Sequence, residues 1–289
     1  MRWPCLHACR PNWADSGGKA THLPVMPFPP ITITERLLHA VKRLEVTTQA
    51  GIRLATGYCC QVAVNADRSL PAIITTRHAL AQASAVSTRF HLAGPAGPLR
   101  ESTILRMAGE TLNIVQHPRP GVDLAALLHA RAIVGWQEAN PGRQLFSQWL
   151  DESAFFPEER WEELDMQESV AVIGAPEKLW DESNNLPLLL AGSTASHPLL
   201  DYNGQPEFVV SARMLPGMSG APVLLQQVGA RGSRTPEAFA QRSRFGLLGT
   251  LRGGMGADPH GLGLVVKASE TRSLLESIRA DVAGRLKPN

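Results

Sequence analysis

Between Leu44 and about Val134 the chain breaks into short β-rich segments separated by turn formers, as at Ala93-Gly94-Pro95-Ala96-Gly97-Pro98. Branched apolar residues suit a pleated, half-buried surface, and glycine and proline interrupt it. This punctuation predicts a β-barrel over that stretch. A second barrel is predicted from Ser169 to Ala268, where Asn203-Gly204 is a two-residue hairpin signal. Residues 135–168 differ in character: Trp136, Trp149 and Trp161 stand among Glu158, Glu159, Glu162, Glu163 and Asp165, which predicts a connection between the barrels with a short acidic helix.

Helices are expected at the two flanks. Thr32-Ile33-Thr34-Glu35 has the form of a capping box, and Leu37, Leu38, Val41 and Leu44 follow at helical spacing. Near the end, Ser269 is a candidate N-cap, and Leu274, Leu275, Ile278, Val282 and Leu286 form one apolar face. Residues 1–31 carry prolines and glycines without apolar periodicity and read as disordered, with Met26 a candidate start. The expected organisation is residues 1–31 as a tail, 32–134 as helix and first barrel, 135–168 as connection, and 169–289 as second barrel and helix.

At 289 residues the chain is long enough for one large domain or two compact halves. Basic and acidic residues nearly balance, 28 against 26, which argues against a nucleic-acid partner. No apolar run approaches the roughly 18 residues of a membrane span, and the N-terminus lacks a secretory pattern, so no membrane partner and a cytoplasmic location are expected. Cys59 and Cys60 are adjacent in an expected strand and face opposite ways, and Cys5 and Cys9 lie in an irregular stretch, so no disulfide framework is implied. Cys5-x-His7-x-Cys9 lacks a second ligand pair at usable spacing, and no metal site is expected.

The residues with chemistry form a sparser pattern. Leu215-Pro216-Gly217-Met218-Ser219-Gly220-Ala221-Pro222-Val223 presents a serine in Gly-x-Ser-Gly-x-Pro. A serine hydroxyl is a weak nucleophile at neutral pH and needs a base to take its proton and donors to hold the oxyanion that forms. Glycine at 217 lets the backbone aim the N–H groups of Gly217 and Ser219 into one concavity. His78 stands where the apolar run Ala72-Ile73-Ile74 ends, and imidazole is the natural general base near pH 7. Asp123 heads the apolar run Leu124-Ala125-Ala126-Leu127-Leu128, where a carboxylate needs hydrogen-bond donors such as an imidazole N–H.

The order is His, Asp, Ser, with separations of 45 and 96 residues. In this order and spacing the chain resembles the trypsin-like (chymotrypsin-fold) serine proteases. Ala55-Thr56-Gly57-Tyr58 is similar to the Gly-Thr-Gly-Phe strand of bacterial members. Leu248-Gly249-Thr250-Leu251-Arg252-Gly253-Gly254 resembles the late strand that pairs with substrate, and Gly263-Leu264-Val265-Val266-Lys267 the last barrel strand. Ile173-Gly174, the stretch Leu179–Pro187 and Asp201-Tyr202-Asn203-Gly204 look most like a group of bacterial trypsin-like peptidase-domain proteins. The resemblance covers about residues 32 to 285.

The resemblance implies an all-β fold of two six-stranded antiparallel Greek-key barrels with short terminal helices. It implies a serine endopeptidase acting through an acyl-enzyme without a cofactor: His78, Asp123 and Ser219 catalytic, the amides of Gly217 and Ser219 as oxyanion hole. Substrate would be a protein or peptide, met by Arg213, Arg252, Gly253 and Gly254. Arg213, six residues before the serine, would favour an acidic residue before the scissile bond if it enters the pocket, and would face solvent otherwise. Zymogen-type relatives carry aspartate where this chain has Met218, so activation by N-terminal cleavage is not expected. Narrow specificity, or control by an activating or regulatory protein, is. Two other readings stand beside it: a catalytically silent chymotrypsin-fold binding module, and an α/β-hydrolase, which needs Gly-x-Ser-x-Gly and the order Ser, acid, His. Asp258 and His260 follow the serine, but Ala221 occupies the position of the second glycine.

Overall fold

The computed structural model describes residues 26, 29–65, 68–227, 244–255 and 261–286, with the last two given as backbone only. The expectations placed on Cys5, His7, Cys9, Asp258, His260, the side chain of Leu286 and most of the tail lie outside them.

Helix α1 (Ile33–Ala40) opens the chain, and its capping box is formed: the Glu35 N–H donates to Thr32 Oγ1 at 3.2 Å and the Thr32 N–H to Glu35 Oε2 at 2.8 Å. The helix stops before Val41, so Val41 and Leu44 belong to a strand. Their spacing fitted a helix because a buried strand next to a helix continues the apolar count.

Strands β1 (Val41–Thr48), β2 (Gly51–Ala63), β3 (Ser69–Thr75), β4 (Ala85–Gly94), β5 (Gly97–Ala108), β6 (Asn113–Gln116) and β7 (Ala125–Leu128) form an antiparallel sheet in the order β5-β4-β1-β2-β3-β7-β6. A short β8 (Leu145–Phe146) pairs with β4. The all-β class is as expected, but this sheet has eight strands rather than six, and its ladder does not close. Helix α2 (Ala130–Ala139) follows β7, where strand was expected as far as Val134.

The second sheet is a closed six-stranded barrel, β10-β11-β14-β13-β12-β9, built from β9 (Ser169–Gly174), β10 (Leu188–Thr194), β11 (Glu207–Ser211), β12 (Pro222–Gln227), β13 (Arg244–Gly254) and β14 (Leu262–Lys267). Asn203 and Gly204 do adopt positive φ, 53° and 70°, but within the longer connection between β10 and β11 rather than a two-residue hairpin. Helix α3 (Ala268–Leu286) buries Leu274, Leu275 and Ile278, starting one residue before the expected cap. At 19 residues it is long rather than short.

Strand β2 is the shared wall. Side chains alternate along a strand, so Tyr58, Cys60 and Val62 join the apolar cluster shared with the barrel and α3, and Cys59 joins the one inside the first sheet with Phe90 and Met107. Both cysteines are buried and free. The connection laces the halves together: Leu150 exchanges backbone hydrogen bonds with Cys59 and Gln61 on β2, and the Phe156 N–H reaches Leu247 on β13. Its acidic stretch is a 3-10 turn, Glu158–Glu163, anchored by buried Trp161. Among the described residues no helix is long and apolar enough to cross a membrane, and no three His, Cys, Asp or Glu side chains are grouped to hold a metal.

Candidate active site

The β3–β7 ladder ends with Thr75 opposite Ala125. Just beyond that end the chain turns, and His78 meets Asp123. The carboxylate accepts two hydrogen bonds from the same residue: Oδ2 from the imidazole Nδ1–H at 2.6 Å and Oδ1 from the His78 backbone N–H at 2.9 Å. Asp123 is almost fully buried, whereas the His78 ring is half exposed. Burial alone would raise the Asp123 pKa. The two His78 hydrogen bonds, with the charges of His78 and Arg252, outweigh it and hold the carboxyl below its ordinary value. Arg53 fixes the other side of the turn by donating to the His78 carbonyl at 2.8 Å.

Ser219 lies on the turn that leads into β12. Leu215-Pro216-Gly217-Met218 is a type II turn: the Met218 N–H donates to the Leu215 carbonyl at 3.2 Å, and Gly217 in the third position has φ 89°. Every carbonyl from 215 to 219 is held. Pro216 O accepts from the Glu177 N–H at 2.9 Å, Gly217 O from Thr56 Oγ1 at 2.8 Å, Met218 O from the Ala221 N–H at 3.0 Å, and Ser219 O from the Thr56 N–H at 2.9 Å.

A planar trans peptide points its N–H opposite to its C=O. Fixing the carbonyls of Pro216 and Met218 therefore aims the N–H groups of Gly217 and Ser219 away from the protein that anchors them. Among the described residues neither N–H has a hydrogen-bond partner.

Two threonines of the first sheet hold this turn. Thr56 Oγ1 donates to Gly217 and accepts from the Ala175 N–H at 3.0 Å, and Thr75 Oγ1 donates to the Thr56 carbonyl at 2.7 Å. Gly220, at φ 92°, sits so close that a Cβ there would collide with the Thr56 carbonyl and with Thr75 Oγ1. Met218, where an acidic residue would be polar, is buried against Gly174.

Residues 252 and 253 join the two parts of the site. Arg252 Nε stands 3.6 Å from Asp123 Oδ2, and its Nη1 is 3.3 Å from buried Glu207. The next residue, Gly253, lies against the serine: a Cβ placed there would be 3.6 Å from Ser219 Oγ. Asp123 and Ser219 are thus flanked by consecutive residues of β13. Of the residues expected to meet substrate, Arg252 directs its side chain to these two carboxylates, and Gly253 and Gly254 pair with β14. Arg213 is exposed, and it is its neighbour Met214 that packs on Gly254 and Gly263.

Reading the sequence missed the anchoring groups: Thr56, Thr75, the Glu177 amide and Glu207. Thr56 belongs to the Ala55–Tyr58 motif, but its hydrogen bonds to residues about 160 positions away carry no sequence signal.

No protein-family model and no curated protein matches this sequence. Solved structures do. The HtrA-type protease AlgW, in a structure with a tripeptide, matches at TM-score 0.50 and 15% identity over 85% of this chain and 62% of that one. A serine endoprotease from Yersinia pestis matches at TM-score 0.49 and 14% identity over 86% and 65%, and the active form of Rv3671c protease from M. tuberculosis at 0.47 and 15% over 92% and 94%. The chain thus spans less than two thirds of the length of the first two. At this identity the likeness to AlgW speaks for the fold, which is the chymotrypsin-like fold of trypsin-type proteases.

Proposed function

We propose that the protein is a serine endopeptidase that hydrolyses peptide bonds through an acyl-enzyme. One observation carries this reading: all five carbonyls from Leu215 to Ser219 are anchored, the amides of Gly217 and Ser219 have no partner among the described residues, and the consecutive residues Arg252 and Gly253 tie this turn to a histidine held by a buried aspartate. Any turn leaves its central N–H groups free; what sets this one apart is that the carbonyls of Pro216 and Met218 are fixed, so both donors are held in a constant orientation, as a developing oxyanion requires.

In this mechanism Ser219 Oγ attacks the scissile carbonyl and His78 takes its proton. The Gly217 and Ser219 amides hold the oxyanion, and His78 then returns the proton to the leaving amine. Asp123 keeps Nδ1–H in place, which leaves Nε2 as the basic atom, and stabilises the imidazolium. Water repeats the sequence on the acyl-enzyme. Buried, apolar Met218 cannot take up a new N-terminal amine as an acidic residue would, so trypsinogen-style cleavage does not switch this site on. The substrate is a protein or peptide, and control falls to narrow specificity or to a regulatory partner.

The test is labelling of the intact protein with a fluorophosphonate, which reacts with an activated serine. Labelling of the wild type and none of Ser219→Ala is the expected result. Equal labelling of both overturns the assignment, and absence of labelling in the wild type favours a silent binding module or a site that awaits its regulatory partner.

A further inference from the structure

Away from the serine, the outer face of the first sheet carries a second concentration of unusual groups. Leu44 of β1 lies opposite Thr88 of β4, so Arg43 and Arg89 occupy the next position along these antiparallel strands. They line one cleft together with Ser87, Glu45, Ile104 and Trp180. Like charges side by side across a ladder destabilise it unless something lies between them.

The Arg43 side chain is only 16% exposed, yet its Nε and Nη1 are buried without a hydrogen-bond partner. The Glu45 carboxylate stands 3.8 Å from Nε, beyond hydrogen-bond reach. The Arg43 guanidinium carbon lies over the Trp180 ring, 5.3 Å from its centre. Buried donors left unpaired cost stability and call for an explanation. Lys42, which lines an adjoining cleft, has no acceptor to offer these donors, and its own ammonium is turned away, donating to the His39 carbonyl at 2.8 Å and lying over Phe90.

We infer that this cleft binds a phosphate-sized oxyanion between the forks of Arg43 and Arg89, with Trp180 as floor and Ile104 as apolar rim. Guanidinium groups match phosphate oxygens in pairs, and the positive groups on the cleft outnumber its single carboxylate, which favours a dianion over a carboxylate. The site spans both halves. Trp180 belongs to the segment between β9 and β10, and the same segment supplies the Glu177 N–H that holds the Pro216 carbonyl. An anion in the cleft fastens that segment to β1 and β4.

The experiment is calorimetric titration of the intact protein with inorganic phosphate, glycerol phosphate and acetate, each against sodium chloride at matched ionic strength. One saturable phosphate site is expected, with acetate weaker and with Arg43→Gln and Arg89→Gln each weakening binding about tenfold or more. Arg89 is exposed, so its variant reports on binding even if the Arg43 variant does not fold. Glycerol phosphate binding as tightly as phosphate marks a phosphate ester as the ligand, and its exclusion marks the free anion. No saturable phosphate binding, acetate binding as tightly as phosphate, or phosphate binding unchanged in the folded Arg89 variant overturns the inference.

Discussion

The two sheets hold their shares of the site by different means. The closed barrel presents Ser219 on a turn whose carbonyls are all tied down, four by backbone N–H groups and that of Gly217 by the Thr56 hydroxyl, so the geometry there is spread over several contacts and is mostly a property of backbone. The open first sheet presents His78 through one side chain, Asp123, which grips both the ring and the backbone N–H of the same residue. Backbone geometry tolerates most side-chain changes but no added Cβ at its contact points. A side-chain grip fails when one atom changes. The same chemistry therefore has two distinct ways of being lost.

Replacing the attacking atom should have the largest effect: Ser219→Ala lowers kcat by about 10⁶-fold with the fold intact, measured on a peptide that the wild type cleaves. Next comes the side-chain grip. Asp123→Asn should cost about 10⁴-fold in kcat, since an amide no longer fixes the His78 tautomer, while the melting temperature barely moves. A loss of similar size in stability would show that Asp123 serves the fold instead.

The backbone half is tested by Thr56→Val, which keeps the shape but removes the hydroxyl that holds Gly217. A loss of about 10- to 100-fold in kcat is expected, with KM little changed. An unaltered rate would mean that the turn holds itself. The smallest effect is at Arg213, whose exposed side chain should contribute little to selectivity. Arg213→Ala should shift the ratio of cleavage after acidic and apolar residues by no more than about threefold, read from a peptide library.

The two regions also differ in their response to acid. Burial holds His39 neutral, with a pKa of about 3, and His129, with a pKa of about 4, both in the first half. In the unfolded chain each takes a proton near pH 6.5. Between these values the unfolded state binds more protons, so the stabilisation present above pH 6.5 is lost as the pH falls towards 4 and 3. Burial also lowers the pKa values of His91 and His117, so denaturant midpoints should fall over that window with a net uptake of protons on unfolding to which all four histidines contribute. Hydrogen exchange should show the first sheet opening before the barrel. Equal loss in both sheets would contradict the comparison.

Much of this was legible in the sequence, for local reasons. Thr32 and Glu35 announce a capping box because both partners lie within one turn, and Cys59 and Cys60 announce a strand with two buried faces. Gly-x-Ser-Gly-x-Pro points to the turn because the residues that shape it are contiguous. What escaped depends on distant partners. Val41 and Leu44 fit a helical period that the sheet overrode, and Asn203-Gly204 took up its positive φ values inside a longer loop. Helix α2 was hidden by β-branched and glycine residues. Thr56, Glu207 and the Asp123 contact of Arg252 acquire meaning only when the two halves meet.

The hydrogen bond from Thr56 to Gly217 spans 161 residues of chain. During synthesis the ribosome makes β2 long before the turn that it will hold, and contacts of such long range form late in folding. A chain with only its first half folded has a histidine and an aspartate but no nucleophile. An isolated serine turn has lost the strand that orients its amides. With the proposed function, hydrolytic competence would wait on finished assembly, and partly made or misdocked molecules would leave the proteins around them uncut.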